Sequence, residues 1–182
     1  DVLLQVLHRR EVLFLDAYGD LEPDLAIARD VGGADFLEGV AGYTGQGVTG
    51  EALDTGLVTP PQEFAGPVIH GSNSTDTSHG TSVYGIVFGR GVDPTARGIL
   101  PDGNGLFGAS NGFLGNAAAR YPHTAQLLLP PYEAVFQTNS TGSPRTFFYT
   151  TISADMDDML FDLDFVICQS QSNAGNQDSR PE

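Results

Sequence analysis

Asp54 in "GEALDTGLVTPP", His79 in "SHGTSVYGIVFGRG" and Asn176 in "DFVICQSQSNAGN" are an acid, a base and an amide donor set far apart along the chain. An Asp-Thr-Gly after an apolar lead-in admits two chemistries. It can be half of a carboxylate pair sharing one proton, which needs a second Asp-Thr/Ser-Gly or a symmetric dimer. It can also be the acid of a Ser-His-Asp site, where a carboxylate holds one imidazole nitrogen so that the other takes the proton of a serine hydroxyl. Such a site needs a donor aimed at the oxyanion, a role that an asparagine side chain fills. The chain has no second Asp-Thr-Gly, so the carboxylate pair is the less favoured reading.

The elements that must hold these groups follow from the apolar pattern. "GVTGEALD" reads as a strand ending at Asp54, and "GPVIH" as a short second strand. "SHGTSVYGIVFGRG" reads as a helix with Ser78 as N-cap, Val83, Ile86 and Val87 at helical spacing, and Gly89 and Gly91 at its end. "ARGILP", "AQLLLP" and "AVFQTNS" are further strand candidates. "TISADMDDMLFDL" has the spacing of an amphipathic helix, with Ile152, Met156, Met159 and Leu160 on one side and Asp155, Asp158 and Asp162 on another. The Gly-, Asn- and Pro-rich region 101–133 reads as a long loop with a short helix around Gly115 to Arg120. Residues 1–40, with a brief helix near Leu25, Ile27 and Ala28, read as a leader or lid, and residues 41–182 as the main domain. Apolar strands separated by helices imply a parallel sheet covered on both faces, an α/β layered domain. In such a sheet functional groups gather at the carboxyl ends of the strands, where Asp54, His79 and Asn176 all fall.

On these motifs the sequence resembles the subtilisin-like serine proteases. "VTGEALDTG", "HGTSVYGIV", "ARGILP", "TNSTG" and "SNAGN" occur in the order of that family, over roughly residues 43–182. The resemblance implies a three-layer α/β/α sandwich with a mainly parallel sheet, incomplete in this chain, and serine-type endopeptidase action on polypeptides. It implies that Asp54 orients His79, that His79 is the general base and then acid, and that Asn176 donates to the oxyanion. Ser140, Thr141 and Gly142 match the segment that pairs with the substrate backbone. Two residues depart from the family's pattern: Tyr84 stands where a small residue is usual, and Glu51 lies in a strand usually apolar throughout.

The family places its nucleophile in a later Gly-Thr-Ser segment, so the serine is expected beyond residue 182, in a missing carboxy-terminal half of the domain. Ser82, directly after His79-Gly80-Thr81, belongs to the histidine motif and is not a nucleophile candidate. The chain alone is then expected to be inactive. A non-catalytic binding domain with the protease fold is the alternative, and an aspartic protease using Asp54 a more remote one.

Composition narrows the partners. Eight Arg and no Lys stand against 23 Asp and Glu, for a formal net charge of -15. Phosphate binding needs a basic stripe, and only Arg9 and Arg10 are adjacent, so nucleic acid is not an expected partner. No run approaches the roughly 20 apolar residues of a membrane span, so no membrane partner is expected. "DVLLQVLHRREVLFLD" is interrupted by charge and does not read as a signal peptide. A secreted or extracellular location is implied by the resemblance alone. Cys168, in the apolar "FVICQ", reads as a buried thiol, and His8, His70 and His123 as surface or loop residues. No metal site and no required cofactor are expected. Calcium is common in the resembled family, so the acidic residues around Asp155 to Asp164 leave room for it as a structural ion, although they lack a Gly-containing acidic loop.

Overall fold

A computed structural model describes residues 24–58, 62–113, 117–141 and 148–170. In chain order the regular elements are helices α1 (Asp24–Val31) and α2 (Ala34–Ala41), strands β1 (Thr49–Asp54) and β2 (Val68–Ile69), helix α3 (Ser78–Phe88), strand β3 (Asn104–Ala109), helix α4 (Ala117–Leu127), strand β4 (Phe136–Asn139), helix α5 (Thr151–Leu163) and strand β5 (Val166–Gln169). The strands form one sheet in the order β2-β3-β1-β4-β5, parallel at every pairing. The expected α/β sandwich is therefore present, with β1 at the centre of the sheet.

Alternation along β1 divides its side chains between two layers. Gly50, Ala52 and Asp54 face α3. There Ala52, Phe107 and Phe64 pack with Tyr84 and Phe88 of the helix. Glu51 and Leu53 face the opposite layer, where Leu106 packs with Leu127 of α4 and Phe165, and Ile167 meets Met156 and Met159 of α5. Met156 and Met159 are buried while Asp155, Asp158 and Asp162 are exposed, as the helical spacing predicts. Helix α5 starts at a reciprocal cap in which Thr150 Oγ1 accepts from the Ser153 N–H and Ser153 Oγ accepts from the Thr150 N–H.

Tyr84 is 2% exposed although its position favours a small residue in the resembled family. The space comes from β3: a Cβ on Gly105 would lie 1.9 Å from the Tyr84 hydroxyl oxygen. Bulk in the helix is thus matched by its absence in the strand. Gly105→Ala is expected to destabilise the chain by about 1–3 kcal/mol through overpacking. Adding Tyr84→Phe is expected to recover part of that loss, as read from urea unfolding midpoints.

Several elements differ from the sequence reading. Region 101–133 is not a long loop: Asn104–Ala109 is strand β3, and the helix runs on to Leu127. "ARGILP" is not a strand. Pro94–Ala96 is a short 3-10 turn capped by Asp93, and the Ile99 and Leu100 N–H groups bond the Ile86 and Val87 carbonyls, closing the end of α3. "AQLLLP" is not a strand either, because Ala125 to Leu127 finish α4 with Leu127 fully buried against the sheet. Helix α3 takes Ser78 as its first residue and Thr77 as N-cap, with no side-chain cap bond. Cys168 is exposed, not buried, because among the described residues β5 lies at the end of the sheet.

Arg29 of α1 is buried, pairs with Asp35 and Glu38 of α2 at 2.7 and 2.6 Å, and donates to the Gly98 carbonyl. Glu38 also accepts from Arg97 at 2.7 Å. These contacts attach α1 and α2 to the turn that ends α3. Among the described residues no helix is long and apolar enough to cross a membrane.

Candidate active site

Asp54 ends β1 with no exposed surface, whereas the His79 side chain, in the first turn of α3, is 55% exposed. His79 Nδ1 lies 2.7 Å from Asp54 Oδ1, and the Thr55 N–H donates to the same oxygen at 2.7 Å. A carboxylate oxygen can only accept, so Nδ1 is the donor in this pair and Nε2 is left for another partner. A buried acid is thus placed where it could orient an accessible imidazole.

The threonines of both motifs hold this arrangement. Thr55 Oγ1 accepts from the Gly80 N–H at 3.3 Å, and Thr81 Oγ1 accepts from the Val58 N–H at 2.9 Å. Each motif's hydroxyl thereby engages the other motif's backbone. Asn73 adds a two-way clamp, accepting from the Leu57 N–H at 2.9 Å and donating to its carbonyl at 3.0 Å. A Cβ on Gly80 would fall 2.3 Å from the Gly56 carbonyl oxygen, so a glycine there lets the helix start sit on the turn after β1. Thr55, Thr81 and Asn73 were missed as positioning residues, although the shared Thr of Asp-Thr-Gly and His-Gly-Thr was the available signal.

Ser140 and Thr141 follow β4 at the same carboxyl edge. The register pairs Leu53 with Asn139, which sets Ser140 beside Asp54. Asn139 Oδ1 accepts from the Thr141 N–H at 2.9 Å and from its hydroxyl at 2.6 Å, fixing the start of the segment. Gly142 and Asn176 lie outside the described residues. Ser82 donates its hydroxyl back to the Ser78 carbonyl at 3.1 Å. Asp54 Oδ2 and the Ser110 hydroxyl are buried and find no hydrogen-bond partner among the described residues.

A second polar cluster lies on the opposite face of β1. His70 and His123 are buried, not surface residues, because both turn inward onto Glu51, which has no exposed surface. His70 Nδ1 is 2.7 Å from Glu51 Oε1, His123 Nε2 is 2.9 and 3.1 Å from its two oxygens, and Gln137 donates to Oε2 at 2.6 Å. Burial pushes the Glu51 carboxyl up, but the bonds from His123, His70 and Gln137 outweigh it and leave it below the usual range. Burial pulls His70 down, and the Glu51 contact more than offsets this, so His70 is raised. Arg120 braces the cluster by donating to Gln137 Oε1 at 2.6 and 3.1 Å and to Gln169 Oε1 at 3.1 Å. Its burial lowers the guanidinium to about 10, against the opposing pull of Glu51. Gln169 in turn donates to the Thr141 carbonyl, so the cluster reaches the edge where Ser140 and Thr141 sit.

No family model matches the sequence, and a search of curated proteins returned no significant match. Solved structures do match. MycP1 with its N-terminal propeptide removed superposes with a TM-score of 0.61 at 21% identity, over 84% of this chain and 50% of that one. MycP1 from Mycobacterium smegmatis gives 0.60 at 20% identity, over 92% and 49%. MycP3, a protease of the type VII (ESX-3) secretion system, gives 0.50 at 18% identity, over 90% and 55%. The chain spans about half the length of these proteins. The described residues carry the subtilisin-like α/β fold of these serine proteases, with its parallel sheet flanked by helices.

Proposed function

We propose that this chain is the amino-terminal part of a serine endopeptidase, and that Asp54 and His79 are two members of its Ser-His-Asp triad. The observation that carries the reading is the 2.7 Å contact between the exposed imidazole of His79 and the fully buried Asp54 carboxylate at the carboxyl edge of a parallel sheet. His79 Nε2 takes the proton of a serine hydroxyl supplied by chain beyond residue 182, as the hydroxyl oxygen adds to the scissile carbonyl. Asp54 stabilises the imidazolium that forms. The Asn176 amide donates to the oxyanion of the tetrahedral intermediate. His79 then gives its proton to the leaving amine, and water repeats the sequence on the acyl-enzyme. The substrate is a polypeptide, held in extended form along Ser140, Thr141 and Gly142.

MycP1 is described as an essential component of the type VII (ESX-1) secretion system. A place of action outside the cytoplasm is proposed here by the same likeness. The test is to express the reading frame continued past Glu182 and treat it with a fluorophosphonate. One serine in a Gly-Thr-Ser segment should be labelled, and polypeptide hydrolysis should vanish on replacing it. The 182-residue chain should remain unlabelled under the same conditions. Labelling of the short chain, or an extended protein that hydrolyses nothing, would overturn the reading, the latter in favour of a binding domain.

A further inference from the structure

The Glu51 cluster is a buried group of two imidazoles and one carboxylate that the peptidase chemistry does not use. His70 Nδ1 lies 2.7 Å from Glu51 Oε1, and His123 Nε2 lies 2.9 and 3.1 Å from its two oxygens, with Glu51 0%, His70 2% and His123 8% exposed. Two imidazole nitrogens turned onto one carboxylate in a dry interior meet it through their own protons or through a cation that all three share.

We propose that Glu51, His70 and His123 form a site for one divalent transition ion of the zinc class. Two imidazole nitrogens and one carboxylate are the donor set of a three-ligand zinc site that leaves one coordination position for water. Calcium is disfavoured, since it takes six to eight oxygen ligands. The three donor atoms lie within 4.8 Å of one another, and those bonded to Glu51 are 2.7 to 3.1 Å from it. Metal bonds of 2.0–2.1 Å at tetrahedral angles set donors about 3.3 Å apart, so the two contacts to Glu51 would open by a few tenths of an ångström on ligation.

The surroundings are those of a supported site. Gln126 on His70 Nε2 and Gln137 on Glu51 Oε2 are outer partners that fix the tautomer of one ligand and the orientation of another. The two imidazoles stack with centroids 4.0 Å apart, and Phe113 and Tyr132 border them at 4.7 Å each, which limits water. Space is kept open by Gly108 of β3, where a Cβ would come within 3.0 Å of Glu51 Oε1 and 3.1 Å of His123 Nε2. An ion here would tie β1, the residue after β2 and helix α4 together. The site stands apart from the Asp54–His79 pair, on the other face of the strand, so its failure would leave the peptidase reading untouched.

The test uses the 182-residue chain with Co2+ and Zn2+ as probes. After loading and dialysis, mass spectrometry of the metal should find one equivalent per chain, and Co2+ should show the intense visible bands of a low-symmetry, four- or five-coordinate nitrogen and oxygen site. His70→Ala and His123→Ala should lose the equivalent, while His79→Ala should keep it. Gln126 is itself exposed, so Gln126→Leu keeps the fold and should weaken Co2+ binding about 10-fold. No stoichiometric ion, or an ion that survives the His70→Ala/His123→Ala double substitution, would overturn the proposal.

Discussion

Asp54→Asn in the uninterrupted enzyme is expected to lower kcat by about 10⁴-fold while leaving the fold intact. The carboxylate accepts the Nδ1 proton of His79 at 2.7 Å, and the carboxamide that replaces it can present an N–H to the same nitrogen. A donor facing Nδ1 moves the ring proton to Nε2, the atom that must be free to take the serine proton. The base is then present in the wrong tautomer. His79→Ala removes the base altogether and should cost as much again or more, without the two losses adding, because the residues act as one unit. Steady-state kinetics on an extended peptide substrate read both, and urea unfolding shows that the Asp54→Asn protein is folded. A loss of only a few-fold would remove Asp54 from the triad.

The second large effect concerns stability. Arg120→Met is expected to destabilise the chain by about 3 kcal/mol, because it removes a buried cation and leaves the Gln137 and Gln169 side-chain oxygens without their donor. Arg120 is 3% exposed, and its bonds go to Gln137 and Gln169, each of which has a second task on Glu51 or Thr141. Methionine matches the length of the side chain and fits near Met156, so the loss reports polar bonds more than a cavity. The comparison is Arg90→Met at an exposed position, which should stay within about 0.5 kcal/mol of the parent. With urea slopes of about 1–3 kcal/mol per molar, the Arg120 variant should lose about 1 M or more in midpoint. Equal midpoints for the two variants would show that the network carries no net stability.

These two expectations were unequally legible in the sequence. Asp54 and His79 could be paired because each sits in a short motif whose strand or helix is locally coded, "GEALD" by apolar residues and "SHGTSVYGIVF" by helical spacing. The Glu51 cluster gave no such signal. Its members come from β1, the end of β2, α4 and β4, and only the parallel pairing of those strands brings them together. Strand β3 escaped for a related reason. "NGLFGA" looks like a loop because Gly105 and Gly108 break its apolar run, yet each glycine answers bulk from elsewhere, Tyr84 on one face and Glu51 with His123 on the other. Cys168 was misplaced because an apolar run shows that a strand exists and not whether it lies at the centre or the edge of the sheet.

Strand β1 carries Asp54 on one face and, three residues earlier, Glu51 on the other. Each carboxylate has partners on its own side alone: a helix-borne imidazole for one, two imidazoles and an amide for the other. A slip of one residue against β3 and β4 would turn both faces over together. Glu51 would then enter the layer of Phe64, Phe88 and Phe107, and Asp54 would point away from His79. Misfolded alternatives that lose the acid are thereby penalised twice, by an orphaned charge among aromatic rings and by two histidines without their carboxylate. The buried glutamate thereby acts as a proofreader of the strand, favouring the register that brings Asp54 to His79, in which neither acid is stranded.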